Sequence, residues 1–598
     1  MKVPPVSGPV SSSIQLDDAW VQRFQKKHGR APRVLQIGNI ANNGYLNTKL
    51  LRSMGVEADL VCFDYYHVMG CPEWEEVSHI GDFVDINYPD WKHADVDFKR
   101  PEWFIQGPLK NCLDFLYCKF KAPEGKALAR EQLERAAESY CQSMRQGGVP
   151  EVLGEETSWQ KFSVSLCLNG FIKTLHMSLE ILLQRKGFKF GFDYGTYRKL
   201  VLILSPLLLV PYAFSKIYAY YVMRSGLLGE WAFKSITQKK RFSHSFQKYS
   251  AEKANSLFRS IARDNQIKFG ARNTEEEFVR VFKRWFSPSC EDLWIEILDQ
   301  YDLVHAYSYE AYVPLLHKKR PFISFEHGTI RDLPFEKNEV GLLTTVVYQQ
   351  SDHVFISNCD TIESARKLQL KNYTFLPHPM NEPLMQRMLE GPLRPAHSLR
   401  QGVEFLAFHP PRHYWSDVPT RDAGLQKGNH IFLRAFARFC REICPNARAV
   451  CVEFGQMVQK SKELVRSLGI EDRIVWVKPL TDFEMLEVIA DSDVTVDQFI
   501  IKTMGSIPAR AMGLKRPVLT AFDPAIHEWC FPEMPPLINC QTENEVFDGL
   551  KKIYLEPLFR DEMGKRGYEW YQKYHSWNFI SREVGKVYER LLEEKAPG

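Results

Sequence analysis

The sequence predicts an α/β protein, with two parallel-sheet domains facing each other and a large, mainly helical insertion in the first. Three observations predict it. Short apolar runs ending in small-residue loops alternate with amphipathic helical patterns over residues 33–95 and again over 296–377; this alternation implies parallel strands joined by right-handed crossovers. The same rhythm returns beyond a proline-rich stretch and continues to residue 576. Between 96 and 295 it stops, in a region rich in aromatic residues, Lys and Arg.

With 598 residues, 44% hydrophobic and 25% charged, the chain has a globular composition and is long enough for several domains. Lys and Arg number 77 against 73 Asp and Glu, a near-neutral balance without the global basic footprint of a nucleic-acid partner. The mean hydropathy of -0.31 excludes a polytopic membrane protein. The 13 cysteines are irregularly spaced, and neither Cys112 with Cys118 nor Cys440 with Cys444 has the nearby partners of a zinc site. Buried free thiols are expected, in a reducing, cytoplasmic compartment. Residues 1–18 lack a charged segment followed by an apolar one, so no secretory leader is expected.

Residues 1–32 read as an N-terminal arm. Residues 33–38 (RVLQIG) form a buried strand, 39–44 a small-residue loop and 45–54 (YLNTKLLRSM) an amphipathic helix. Gly55 stops that helix, and 57–63 (EADLVCF) is the second strand. Gly38 and Gly44 flank a loop over the first strand's carboxyl end, where backbone can approach a ligand and a helix N-terminus favours anions. No G-x-G-x-x-G is present, so a dinucleotide fingerprint is absent. Within the interruption, 127–145 and 275–285 read as helices. Strands then return at 301–306, 321–325 and 354–357, with helices at 339–350 and 361–368.

Residues 378–402 read as a linker, within the proline-rich stretch LPHPMNEPLMQRMLEGPLRP (376–395). The second domain, 403–576, has strands at 404–408, 449–452, 474–477, 494–496 and 517–520. Its helices fall near 429–441, 457–468, 482–490, 506–513 and 543–555. Residues 577–598 close the chain as a helix and tail, with Phe579, Val584, Val587, Tyr588 and Leu591 on one helical face. Two Rossmann-like domains, 33–95 with 296–377 and then 403–576, facing across a cleft suit a nucleotide-linked substrate.

Five stretches, in this order and spacing, carry a family resemblance: YDLVHAYSYEAYVPLLHKKRPFISFEHGTIRD (301–332), FLAFHPPRHYWS (405–416), QKGNHIFLRAFARF (426–439), GIEDRIVWVKPLTDFEMLEVIADSDVTVDQF (469–499) and GSIPARAMGLKRPVLTAFD (505–523). Over residues 33–95 and 296–594 the chain resembles the GT-B-fold retaining glycosyltransferases of family 4 (glycosyl transferases group 1). The resemblance implies that a sugar passes, with retention of configuration, from a nucleotide-sugar donor to a saccharide or lipid-linked acceptor. The second domain would hold the donor and the first the acceptor. It also implies that no metal or other cofactor is obligatory, because Arg and Lys clamp the diphosphate.

By that resemblance Arg412 and Lys427 are the diphosphate clamp, with Arg421 competing from the polar loop 416–426. His327, in His327-Gly328-Thr329 at a strand's carboxyl end, is the catalytic-site residue that contacts and orients the donor sugar, and Glu326 orients rather than reacts. Gly38, Gly44 and Gly505 join the donor-binding set. His305, within its strand, is core or adjacent to the site. One departure stands out. The family's donor motif places two acidic residues eight positions apart, where this chain has Lys502 and Arg510. Arg510 is donor-only and cannot accept from a ribose hydroxyl; an extra phosphate or an acidic sugar would suit it, with Asp497 and Gln498 as polar lining. Two alternatives therefore stay open: a degenerate relative that binds a nucleotide sugar or a partner at a membrane without catalysis, and a nucleotide-sugar epimerase. Asp491-Ser492-Asp493 matches a metal-binding D-x-D only as a string and reads as a helix end. No G-x-S-x-G, P-loop or H-E-x-x-H occurs, and no metal site is expected.

Residues 199–223 (KLVLILSPLLLVPYAFSKIYAYYVM) are the most apolar part of the chain, flanked by Arg185, Lys186, Lys189 and Arg198 before and Arg224 and Lys234 after. The length approaches the roughly 20 residues of a membrane helix. A single crossing would separate residues 33–95 from 296–377, which must build one sheet. Three readings remain: an interfacial or re-entrant segment on the cytoplasmic face of a membrane, a hairpin with residues 162–183, or a buried soluble helix broken at Pro206 and Pro211.

Overall fold

The computed structural model describes residues 14, 16–63, 65–78, 85–92, 98–146, 288–336, 338–391, 399–415 and 426–594. The chain divides into two compact units. One comprises residues 1–113, 133–149 and 294–598 and contains both sheets. The other comprises 114–132 and 150–293; within it the Arg130 guanidinium lies 5.6 Å from the centre of the Phe115 ring.

The first sheet has seven strands: β1 (Arg33–Ile37), β2 (Glu57–Phe63), β3 (Phe104–Gly107), β4 (Leu303–Tyr307), β5 (Phe322–Glu326), β6 (His353–Ile356) and β7 (Tyr373–Phe375). Their spatial order is β3-β2-β1-β4-β5-β6-β7, with every pairing parallel. Helices cover both faces of such a sheet, so its central strands are continuous apolar runs rather than alternating ones; β4 and β5 are buried at every position. Strands β1 and β4 are direct neighbours, Val34 opposite Leu303 and Ile37 opposite Ala306. Residues on either side of the long interruption thus build one sheet.

The second sheet has six strands: β8 (Phe405–His409), β9 (Ala447–Val452), β10 (Ile474–Val477), β11 (Val494–Val496), β12 (Val518–Thr520) and β13 (Ile538–Asn539). The order is β10-β9-β8-β11-β12-β13, again all parallel. The predicted class, two parallel-sheet α/β domains, is what the chain forms.

Three features differ from the sequence-based boundaries. First, β3 lies beyond residue 95, inside the span assigned to the insertion, yet pairs with β2 through Leu60 opposite Phe104. It is only four residues, FIQG, with a central Gln. Gln106 is tolerated in the buried edge because its amide donates to the Tyr65 carbonyl at 2.9 Å and its oxygen accepts from Arg100 at 2.8 Å. Second, the N-terminal arm contains the helix Ala19–His28, closed by Gly29 in the left-handed conformation at φ 70°. Third, the linker contains the helix Glu382–Glu390.

The last helix, Trp577–Glu594, docks on the first sheet rather than the second. Trp577, Ile580, Val584 and Tyr588 share one core with Val34, Leu303, Ile323 and Phe355. Of the predicted apolar face, Val584, Val587, Tyr588 and Leu591 are buried and Phe579 is partly buried. Trp20 stands edge-on to Tyr588 at 5.8 Å, in the space left by Gly585. Trp577 is also tied to the linker: its indole donates to Met380 O at 2.7 Å and its backbone N–H to the Glu382 carboxylate at 2.5 Å.

Of the twelve described cysteines, eleven are buried. Among the described residues no helix is long and apolar enough to cross a membrane. Residues 162–183, 199–223 and 275–285 lie outside the described residues.

Candidate functional site

In an open parallel sheet, the crevice for a ligand forms outside the carboxyl ends of the strands where the strand order reverses. The order reverses between β1 and β4 in the first sheet and between β8 and β11 in the second. Most of the residues singled out from sequence follow these strands.

In the second lobe, Lys427 is pinned through its backbone. Its N–H donates to Tyr414 O and its carbonyl accepts from Phe499 N, both at 2.8 Å, bridging the loops after β8 and β11. Gly428, at φ 74°, then turns the chain into the helix Asn429–Glu442. Asn429 is buried, accepts from Tyr414 N at 3.1 Å and donates to Pro411 O at 3.3 Å. These bonds tie the loop that carries Arg412 to the start of the helix. The Lys427 ammonium donates to the Gln498 side-chain oxygen, and Gln498 is itself held by Thr503 O at 2.9 Å.

Burial lowers the Lys427 pKa from its ordinary value; Asp497 opposes that shift, while Arg412 and Arg331 add to it. Burial pushes the Asp497 carboxyl up to about 6, with Lys427 pulling the other way. Among the described residues, neither Lys427 nor Arg412 is in an ion pair. The N–H groups opening the helix Asn429–Glu442 add the positive end of a helix dipole beside Lys427. Gly505 precedes the helix Ser506–Gly513, and a side chain there would meet nothing within 4 Å. Space, rather than packing, surrounds it. Arg421 lies outside the described residues.

In the first lobe, His327 follows β5. Both its ring nitrogens are buried and without a hydrogen-bond partner. The ring sits among Tyr307, Phe325 and His378, with ring centres 5.9, 6.1 and 6.4 Å away. Burial, then His378, lowers its pKa to about 3, so the imidazole is neutral at physiological pH and offers one donor and one acceptor. Glu326 caps the turn behind it, accepting from the N–H groups of Gly328 and of Ile330, the latter at 3.0 Å. Burial pushes the Glu326 carboxyl up to about 7.

Four participants were not singled out from sequence. His378 follows β7 and bonds Asn43 Oδ1 at 2.7 Å; its signal was a histidine between two prolines just past a short strand. Arg331 pairs bidentately with Asp360, at 2.5 and 2.6 Å. Both belong to the first lobe, yet both act electrostatically on Lys427 of the second, so the two strand-end clusters face one another. The fourth is Glu310.

Gly38 and Gly44 serve packing. Gly38 has φ 93°, and a side chain there would run into the Glu310 carboxyl. At Gly44 it would lie 2.5 Å from Gly38 O and 3.0 Å from Leu60 Cδ1. His305 is core: it is 1% exposed and bonds Tyr588 Oη at 2.7 Å.

Arg510 differs most from expectation. Rather than awaiting a ligand anion, its guanidinium pairs with Asp482, Nε at 2.7 Å and Nη2 at 2.6 Å. Glu75 of the first lobe lies against this pair, its carboxyl pushed well above the usual range by burial and then by Asp482. Lys502 is exposed. Asp493, of the D-x-D string, pairs with Arg400 at 2.9 Å and Arg560 at 3.3 Å. Among the described residues no three His, Cys, Asp or Glu side chains are arranged to hold a metal ion.

No protein-family model matches the chain, and no curated protein matches it. Solved structures resemble it distantly. HepE of Anabaena, in complex with UDP and glucose, is 13% identical, with 58% of this chain and 98% of that one covered and a TM-score of 0.39. Sucrose-phosphate synthase of Thermosynechococcus elongatus is 15% identical, covering 53% and 80% at a TM-score of 0.37. The pneumococcal O-GlcNAc transferase GtfA, in complex with UDP and GlcNAc, is 12% identical, covering 50% and 60% at 0.36.

Proposed function

We propose that this chain is a glycosyltransferase that moves a sugar from a nucleotide-sugar donor to a saccharide or lipid-linked acceptor, with retention of configuration. The observation that carries the reading is the pair Lys427 and Arg412, two cations without ion pairs at the strand-order reversal of the second sheet. A leaving nucleoside diphosphate develops negative charge on its bridging oxygen. Fixed cations and helix N–H groups aimed at that charge stabilise it more than they stabilise the intact donor. Gln498 holds the Lys427 ammonium in place, and the partial burial of that ammonium strengthens its field by lowering the local dielectric. His327, neutral and with both nitrogens free, suits the hydroxyls of an uncharged donor sugar better than its phosphates. Asp497 offers a carboxyl beside the clamp for a ribose hydroxyl, a task that Arg510, bound to Asp482, does not take. No metal enters this reading.

A panel of nucleotide sugars tests the proposal, with sugar release to water and transfer to saccharides as readouts and NMR of the product's anomeric proton for stereochemistry. Lys427→Ala should lower turnover about 10²- to 10³-fold, the loss typical of one oxyanion-stabilising donor. A wild-type protein that binds and turns over none of the panel would sink the proposal; an inverted product would sink only retention. Attachment to the cytoplasmic face of a membrane belongs to the same proposal and rests on the apolar run 199–223 with its basic flanks. Deleting residues 200–214 should release the protein from membranes; a wild type found wholly in the supernatant would sink attachment, and unchanged sedimentation of the deletion would sink this run as the anchor.

A further inference from the structure

Glu310 lies at the other strand-order reversal, and nothing in the clamp uses it. It follows β4 in the short turn Ser308–Ala311. Ser308 holds a left-handed φ of 55°, an uncommon conformation for a residue with a side chain. The turn is fixed through hydroxyls: Ser308 Oγ lies 3.0 Å from Thr329 Oγ1, which lies 2.9 Å from Tyr348 Oη. This brings the Glu310 carboxyl over Gly38, the residue that leaves the carboxyl end of β1, in space that any other residue at 38 would fill. The carboxyl therefore sits between the ends of the two strands at which the order turns.

Its surroundings are polar but hold no cation partner. Cys62, Tyr65, Tyr309 and Tyr348 are the groups that sense its charge. Among the described residues it forms no ion pair, and its Oε2 is buried without a hydrogen-bond partner. Burial pushes the carboxyl up to about 8. Arg331, in the same lobe, is already paired with Asp360. An orphaned buried oxygen of this kind costs free energy until a ligand satisfies it. The ligand that does so carries no negative charge: a phosphate or carboxylate would be buried there without a counter-charge.

We infer that the Glu310 carboxyl binds a hydroxyl of the acceptor, and that this site selects a neutral saccharide over an anionic one. The inference rests on the glycosyl-transfer reading above and goes beyond it by naming the acceptor's chemical class and the side chain that receives it. The two lobes then divide the work, cations for the diphosphate and a cation-free carboxyl for the acceptor.

Two measurements on the full chain test it separately from the parent reading. Saturation-transfer NMR with methyl α-glucoside, methyl α-mannoside and methyl β-galactoside, against glucose 6-phosphate, reads acceptor binding. At least one neutral glycoside should bind the wild type, Glu310→Ala should weaken it about tenfold, the loss of one hydrogen bond to the carboxyl, and Glu310→Gln, which keeps a donor and an acceptor, should retain part of the binding. With a donor that is turned over, Glu310→Ala should raise the KM for that glycoside more than it lowers kcat. The wild-type acceptor KM should change across pH 8, and the Glu310→Gln profile should be flat there. Equal binding by wild type and Glu310→Ala, no binding by any neutral glycoside, or tighter binding of glucose 6-phosphate would overturn the inference while leaving glycosyl transfer standing. Absence of all nucleotide-sugar turnover would overturn both.

Discussion

The two lobes reach the same point in the fold, the carboxyl ends of parallel strands at an order reversal, and furnish it with opposite chemistry. After β8 and β11 stand Lys427 and Arg412, with a single buried carboxyl, Asp497, to temper them. At the ends of β4 and β5 stand Glu310, Glu326 and a neutral His327, and Arg331 is neutralised by Asp360. The same architecture occurs twice, and the side chains after the strands give each place its own charge.

The comparison can be broken most severely where the lobes touch. Arg510→Ala would leave Asp482 and Glu75 buried without their cation and should cost about 3–5 kcal/mol, measured by chemical denaturation. Glu75→Gln in the same background should recover part of that loss. Were Arg510 a donor ligand instead, its loss would raise the donor KM at unchanged stability. Next in size is the cation site: Arg412→Ala together with Lys427→Ala should lower turnover little further than Lys427→Ala alone, because groups that act on one developing charge are not additive. His327→Ala should cost about tenfold in kcat/KM, a hydrogen-bond-sized loss. His327→Asn, which keeps one donor and one acceptor, should recover part of it.

Stability also depends on pH. A carboxyl raised to about 8 in the folded protein holds a proton that the unfolded chain, with an ordinary carboxylate pKa of about 4.3, has released. Its contribution is therefore full below about pH 4.3 and declines as pH rises toward 8. Glu310→Gln removes the charge-burial penalty, so melting temperature should rise relative to wild type at pH 7–8 and coincide more nearly with it at pH 5. The buried imidazoles act in the other direction. His327 and His378, depressed to about 3 and about 4, contribute stability that is full above the unfolded value near 6.5 and lost progressively as pH falls from there to their folded values.

Much of this was legible in the residues. The central strands of both sheets, Val34 to Ile37 and Phe405 to His409 among them, are apolar runs buried on both faces, and hydrophobicity alone marks such runs. The split of the first sheet followed from the same rhythm on both sides of the interruption. Edge strands escaped because their neighbours satisfy what their sequence does not explain, as Arg100 and Tyr65 do for Gln106. Lys427, Arg412 and His327 carried a signal because their roles depend on a short local motif at a strand end or helix start.

Sequence by itself determined the fold class, the alternation that places loops at the strand ends, and the cations and histidine those loops bear, because each depends on residues near one another in the chain. Tertiary structure decided the rest. Arg510 is a bound counter-ion because Asp482 and Glu75 come from two other helices, one in each lobe. Gly38 is spared a side chain to make room for Glu310, which lies far along the chain and meets it only because β1 and β4 are neighbours. The last helix stabilises the first sheet because its apolar face, readable in isolation, finds Trp20 and the strands of the opposite lobe. Partners brought together from distant parts of the chain set the local dielectric and charge, and those settle which polar groups are satisfied and which remain free for a ligand.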